Sequence, residues 1–362
     1  MIKLLIVDDS PLMRRLLVDI FTDAGDFEVE VARSGAEALQ RLAAFAPDVI
    51  TLDIHMPGMD GLACLDRIMV EHPCPVVMVS SLTAEGADVT LQAIELGAVD
   101  FIAKPRGALS LEIDAVVPAL LEKVRTAAAV RISRATRLRE RVQARARAKP
   151  RAPAPTKHVS APRDAGAAPP PADGLVLVGC STGGPPALDA LLGGLPADFP
   201  WPVLVAQHMP ATFTGPLARR LDKMCALNVS EVATSTALEP GNIYIGRGDA
   251  DVIVTRRAGR LAAAAAPSSA DHFWHPSVDR MALSAMAHLP PDQLVGVLMT
   301  GMGNDGAAAL TELKTRGGIT LAESSETAVV WGMPGALVAA DGASIVAPLD
   351  SLAAELLALF KR

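Results

Sequence analysis

The feature that most constrains the fold of this chain lies in its middle. From about Arg131 the helical spacing of apolar residues gives way to a run holding Arg137, Arg139, Arg141, Arg145, Arg147 and Lys149, followed by Pro150, Pro153, Pro155 and Pro169-Pro170-Pro171. Such a segment buries too little apolar surface to offset its ordering entropy, so it belongs to no core. It predicts a basic helical extension that frays into a flexible, partly polyproline tether. The chain of 362 residues also exceeds what one hydrophobic core usually supports. We therefore expect one domain over residues 1–125, a linker over 126–173 and a second domain over 174–362.

Composition excludes several classes of function. A formal charge of -7 offers nucleic acid no general attraction. No helix-turn-helix or basic recognition helix follows Asp173, and the linker arginines are not embedded in a fold, which argues against a transcriptional output domain. Residues 1–7 are apolar but end at once in Asp8-Asp9 with no small-residue cleavage site, which reads as a buried strand and not a signal peptide. No run of about 18 uncharged apolar residues predicts membrane insertion. A cytoplasmic location is expected. Cys64, Cys74, Cys180 and Cys225 lack paired spacing and read as buried free thiols.

Before the linker, aliphatic runs at Leu4–Val7, Val29–Ala32, Val49–Leu52, Val76–Val79 and Phe101–Ala103 alternate with helical spacing over Pro11–Thr22, Gly35–Ala44, Gly61–Val70 and Asp88–Leu96. That alternation predicts a five-stranded parallel doubly wound sheet, with ligands at the carboxyl ends of its strands. The informative polar groups fall there: Asp8 and Asp9, Asp53, Ser80 and Lys104. Converging carboxylates repel, and a hard divalent cation with oxygen ligands, magnesium before zinc, relieves them. A cation beside a carboxylate, with Lys104 and the Ser80 hydroxyl at hand, suits the transfer of a phosphoryl group to Asp53.

Asp8-Asp9-Ser10, Leu52-Asp53-Ile54-His55-Met56-Pro57, Met59-Asp60-Gly61 and Lys104-Pro105 together resemble a two-component receiver domain. The resemblance implies magnesium held by Asp9, Asp53 and the His55 carbonyl with Asp8 assisting, phosphorylation at Asp53, and a switch read through Ser80, Phe101 and Lys104.

After the linker, the strand-like run Leu175–Val178 ends in Gly179-Cys180-Ser181-Thr182-Gly183-Gly184, and helical spacing resumes at Pro185. Strand, glycine-flanked serine and helix form the context in which a G-x-S-x-G match marks a nucleophile. The helix N-terminus offers free amides to a developing negative charge. A second strand, Pro202–Ala206, ends at His208, whose type suits a general base. A third, Leu294–Met299, opens into Thr300-Gly301-Met302-Gly303-Asn304-Asp305-Gly306, where Asp305 could orient the histidine. The order Ser, His, Asp differs from that of the α/β-hydrolases, so the motif does not import their fold. His272 and His275 have the spacing of a metal pair, but no third ligand is evident and Pro276 breaks the local helix.

Gly179–Gly184, Gln207-His208-Met209-Pro210 with Phe213-Thr214, and Thr300–Gly306 resemble the catalytic domain of the bacterial chemotaxis protein-glutamate methylesterases. The resemblance implies a parallel α/β sheet with helices on both faces, Ser181 as nucleophile, His208 as base and Asp305 as orienting carboxylate. Met302, through its amide, and Thr182 fall at the oxyanion hole, and no cofactor serves this site. It implies methyl-accepting chemoreceptors as substrates, deamidation of receptor glutamines beside ester hydrolysis, and a chemotaxis histidine kinase as phosphoryl donor. Nothing demands a stable dimer, and a monomer is expected. Gly246-Arg247-Gly248-Asp249 and Trp274-His275 depart from the common family pattern, and are expected to alter the substrate surface and not the triad. The competing reading is a phosphorylation-controlled binding module whose hydrolase has lost activity, and the presence of all three triad residues weighs against it.

Overall fold

The structure, a computed structural model, describes residues 1–80, 83–104, 113–130 and 174–360. These fall into two compact units. Of the linker expected over 126–173, residues 131–173 lie outside the described residues, as does Pro105 of the receiver-like motif, whereas Thr126–Ala128 belong to a helix.

The first unit runs β1 (Ile2–Val7), α1 (Pro11–Asp23), β2 (Phe27–Ala32), α2 (Gly35–Phe45), β3 (Val49–Asp53), α3 (Gly61–Glu71), β4 (Val76–Ser80), α4 (Ala84–Leu96), β5 (Asp100–Ala103) and α5 (Ile113–Ala128). Its five strands pair in parallel in the order β2-β1-β3-β4-β5, the doubly wound arrangement expected from the alternation. Helix starts follow local chemistry. Ser10, Ser34, Asp60 and Thr83 each accept a backbone amide three residues on, which satisfies one of the free donors of the first turn. The Thr83 cap explains why α4 begins four residues before its apolar spacing does. On one side of the sheet Leu4, Ile6, Val49 and Val77 meet Leu17, Phe21, Leu120 and Val124, with Phe21 and Phe27 packed edge to face.

The second unit is built on β6 (Leu175–Cys180), α6 (Gly184–Gly193), β7 (Val203–Gln207), α7 (Ala211–Met224), β8 (Asn228–Val232), β9 (Thr236–Ala237), β10 (Asn242–Gly246), β11 (Asp251–Arg257), β12 (Arg260–Ala266), α8 (Val278–Met286), β13 (Leu294–Leu298), α9 (Ala307–Thr315), β14 (Ile319–Glu323), α10 (Met333–Ala339), β15 (Ile345–Ala347) and α11 (Leu349–Ala358). Seven strands form a parallel sheet in the order β15-β14-β13-β6-β7-β10-β8. Every residue of β6, β7 and β13 is buried, as a sheet covered on both faces requires. The chain moves from β6 to β7 on one side and places β13 on the other, so β6 ends at the switch point of the sheet, where open α/β folds bind ligands.

A second, antiparallel sheet of β11, β12 and β9 was not anticipated. Its hairpin turns through Ala258 and Gly259, both at positive φ, as a two-residue turn between antiparallel strands needs. Val252, Val254 and Ala263 pack in one cluster with Met281, Ala282 and Ala285 of α8. This holds the N-terminus of α8 in place beside the ends of β6 and β13. Among the described residues no helix is long and apolar enough to cross a membrane. All four cysteines are buried and free.

Candidate active site and phosphoacceptor site

In the first unit the strand ends deliver the acidic group as expected. Asp8 follows β1, Asp53 closes β3, and both are buried, whereas Asp9 is exposed. One ligand oxygen from each of the three lies within 4.8 Å of the others. Lys104, beyond β5, reaches in with its Nζ 2.7 Å from Asp53 Oδ2 and 3.2 Å from Asp8 Oδ2. Burial pushes the Asp53 carboxyl above its ordinary range, against the opposing pull of Lys104. Burial likewise opposes the charge on Lys104, but Asp53 and Asp8 hold its pKa above the ordinary value. Lys104 pairs with both buried carboxylates and Asp9 adds a third, exposed one, so the donor set is rich in hard oxygen and short of positive charge. That fits a divalent cation of the magnesium type.

The His55 amide donates to Asp53 Oδ1 at 3.2 Å, which turns the chain after β3 back toward the carboxylate. Gly61 opens α3 directly over the end of β3. A Cβ there would lie 2.3 Å from the Asp53 carbonyl oxygen, so only glycine lets the helix approach. Ser80 is buried, and its hydroxyl accepts from Thr90 Oγ1 at 2.8 Å. Phe101 is buried, with Lys123 Nζ donating to its carbonyl at 3.0 Å and lying 5.2 Å from its ring centroid.

In the second unit Ser181 and His208 are neighbours by register. Cys180 pairs with Gln207 across β6 and β7, the His208 amide donates to the Cys180 carbonyl at 3.0 Å, and each functional residue is the next one on. The Gln207 side chain ties the two turns together. Its Nε2 donates to the Ser181 carbonyl at 3.0 Å and to the His208 carbonyl at 3.1 Å, and its Oε1 accepts from Cys180 Sγ at 3.0 Å. The amide fits only because residue 184 is glycine, where a Cβ would stand 1.9 Å from Gln207 Oε1.

The loop after β13 brings Asp305 to the histidine. His208 Nε2 and Asp305 Oδ2 are 2.8 Å apart, and His208 Nδ1 is buried and without a hydrogen bond among the described residues. With Asp305 ionised, the neutral imidazole carries its proton on Nε2 and its lone pair on Nδ1. This is the reverse of the nitrogen usage in the serine-protease triad. Asp305 also accepts from the Val278 amide at 2.7 Å and from Ser277 Oγ and the Asp279 amide at 3.0 Å each. Burial alone would raise the Asp305 pKa. His208 and the helix amides outweigh it and hold the carboxyl below its ordinary value.

Thr182 and Met302 flank this group, and both are buried. Thr300 fixes the turn after β6 from the opposite side: its carbonyl accepts the Ser181 amide at 2.9 Å and its Oγ1 donates to the Thr182 carbonyl at 2.8 Å. The Ser181 amide is thereby engaged. The Met302 amide donates no backbone hydrogen bond among the described residues, which leaves it available to an anion.

Several residues of this assembly escaped the sequence reading. Ser277 caps α8 while also holding Asp305. Asp251, fully buried, accepts from the Ser277 amide at 2.8 Å and pairs with His275 Nδ1 at 2.9 Å, so His275 serves an internal carboxylate. Asp249 Oδ2 accepts from the Ala211 amide at 3.1 Å and Gly248 packs on the Met209 carbonyl, so the departing segment 246–249 supports the turn after His208. Trp274, expected to bear on the substrate surface and not the triad, touches a triad candidate. Its indole stacks on the His208 ring at 5.4 Å between centroids and 9° between planes.

Both units match known proteins. A family model described as CheB methylesterase matches residues 176–356, and one described as response regulator receiver domain matches residues 4–113. The chain is 56% identical over 355 residues, 98% of its length and 97% of the relative's, to a protein-glutamate methylesterase/protein-glutamine glutaminase 2 of Rhodopseudomonas palustris (strain BisB18). It is 51% identical over 370 residues, 100% of its length and 97% of the relative's, to a protein-glutamate methylesterase/protein-glutamine glutaminase 3 of Rhodospirillum rubrum. Among solved structures, the crystal structure of the Thermotoga maritima CheB methylesterase catalytic domain aligns with a TM-score of 0.50 and 35% identity, covering 51% of this chain and 98% of that one.

Proposed function

The chain belongs to the CheB protein-glutamate methylesterase family, and from that premise we propose which of its side chains perform the reaction and its control. It is a protein-glutamate methylesterase and protein-glutamine glutaminase under the control of a phosphoacceptor domain in chemotaxis. Its substrates are methyl-accepting chemoreceptors, its phosphoryl donor is a chemotaxis histidine kinase, and it works in the cytoplasm.

Ser181 Oγ attacks the γ-carbonyl carbon of a methylated glutamate while its proton passes to His208 Nδ1. Asp305 balances the imidazolium that results. The Met302 amide, with Thr182 beside it, receives the negative charge of the tetrahedral intermediate. Collapse of that intermediate breaks the bond to the methoxy oxygen, which takes the proton from His208 and leaves as methanol. Water then attacks the Ser181 ester, its proton going to His208 Nδ1 and on to Ser181 Oγ, and a free glutamate is released. A glutamine follows the same course with ammonia as the leaving group. The observation that carries this reading is His208, held to Asp305 through Nε2 and with a buried, unpartnered Nδ1, at the strand end next to Ser181.

In the receiver unit Asp53 accepts the phosphoryl group. Asp8, Asp9, Asp53 and the His55 carbonyl would hold magnesium, which when bound offsets the charge of the carboxylates and of the incoming phosphoryl oxygens. Lys104 Nζ, 2.7 Å from Asp53 Oδ2, orients the acceptor carboxylate, and Ser80 and Phe101 report its state.

The test is methanol release from methylated receptor membranes, with and without beryllofluoride and magnesium, beside Ser181→Ala. Release that rises with the phosphoryl mimic and vanishes in the variant supports the assignment. Release that persists in Ser181→Ala would remove Ser181 from the chemistry.

A further inference from the structure

We propose that Trp274 is a positioning residue for this reaction, its indole setting the plane of the His208 imidazole. The inference rests on His208 acting as the base. A ring held by one hydrogen bond, from Nε2 to Asp305, is fixed at a single point. The second side-chain torsion of histidine is broad, so the ring could still pivot and swing Nδ1 away from Ser181. A parallel indole face at 5.4 Å and 9° removes that freedom without engaging either nitrogen.

The indole is itself braced. Phe273 meets it edge to face at 4.8 Å and 87°. Its Nε1 lies against the Met302–Asp305 loop, 3.2 Å from where a Cβ on Gly303 would be. The next residue, His275, is anchored to buried Asp251 at 2.9 Å, and Asp251 also holds Ser277 and Arg280. One side chain thus touches the base and abuts the loop that carries the orienting carboxylate.

The stack also acts on charge. When His208 takes the Ser181 proton it becomes a cation within about 6 Å of an indole face, and the ring quadrupole favours that form. The ionisable groups around the pair are Asp305 in the loop after β13, Asp279 at the start of α8 with His272 acting on it, Asp251 with its partners His275 and Arg280, and Asp249, which accepts from the Ala211 amide. Substituting Trp274 alters none of these charges, so a loss of rate would report the stack and not an altered field.

Full-length Trp274→Leu and Trp274→Phe are compared with wild type in steady-state methanol release and in the rate of Ser181 labelling by a fluorophosphonate. Trp274→Leu should lower kcat and the labelling rate about 10-fold with KM within about twofold, a smaller loss than a full ångström of misplacement gives. Trp274→Phe, which keeps an aromatic face, should retain most of both. Equal behaviour of the two variants, or a loss confined to KM, would overturn the proposal. A wild-type enzyme whose methanol release ignores Ser181→Ala would instead overturn the triad on which it rests.

Discussion

The Val278 amide donates to Asp305 Oδ2 over 2.7 Å, so the carboxylate that orients His208 is also the anion at the N-terminus of α8. Ser277 Oγ and the Asp279 amide occupy its other oxygen. The partial positive charge of a helix start favours an ionised carboxylate at that point.

Asp305→Asn should therefore lower kcat by about 10³- to 10⁴-fold, since an amide cannot balance the imidazolium and would turn a donor toward one of its present partners. Single-turnover methanol release on the phosphoryl-mimic form measures this directly. A loss of less than about tenfold would place the orienting charge elsewhere.

Asp305 and Asp53 should respond to pH with opposite sign. The Asp305 pKa is depressed in the fold despite burial, so its stabilisation is whole above the unfolded value of about 3.9 and is lost as pH falls through the folded value. Burial leaves Asp53 raised, so its ionised form costs stability increasingly as pH rises from about 3.9 through the raised value. Asp53→Asn should accordingly raise the thermal midpoint of the receiver transition at pH 7, and the gain should shrink toward pH 3.5. Calorimetry at the two pH values decides it, and a midpoint at pH 7 below that of wild type would contradict the sign.

Gly184→Ala should damage the active site from behind. The added Cβ would stand 1.9 Å from Gln207 Oε1 and displace the amide that joins the Ser181 and His208 carbonyls. Overpacking of this kind costs about 1–3 kcal/mol. A fall in kcat larger than the fall in stability explains is the expected result, measured by urea unfolding beside methanol release.

The parts of this architecture legible in the sequence are those that end a strand. Asp8, Asp53, Ser181 and His208 each follow an aliphatic run of one period, and a parallel sheet converts such runs into a shared edge. The antiparallel sheet was not legible, because Ala262–Ala266 of β12 has no β-branched residue and succeeds as a strand by pairing with β11 and β9. Trp274, Ser277 and Asp251 were missed for another reason. Each acts across more than twenty residues of chain, on His208, Asp305 and His275 respectively, and no periodicity encodes those contacts. Gly184 carries no periodic signal either, because its task is to admit the Gln207 amide.

The last prediction concerns Glu323, fully buried at the end of β14. Its Oε2 accepts from the Thr300 amide at 2.8 Å, and Thr300 in turn holds the Ser181 amide and the Thr182 carbonyl. Burial pushes the Glu323 carboxyl above its ordinary range, which the Thr300 amide opposes, so the side chain serves chiefly as a fixed acceptor. Glu323→Ala should orphan the Thr300 amide at a cost of about 1–3 kcal/mol and lower kcat by letting the nucleophile turn relax. Glu323→Gln keeps an acceptor oxygen and removes a buried charge, so it should lose much less of both. Urea unfolding and methanol release on the two variants separate the cases: if glutamine proves as damaging as alanine, the charge of Glu323, and not its hydrogen bond to Thr300, is what the site requires.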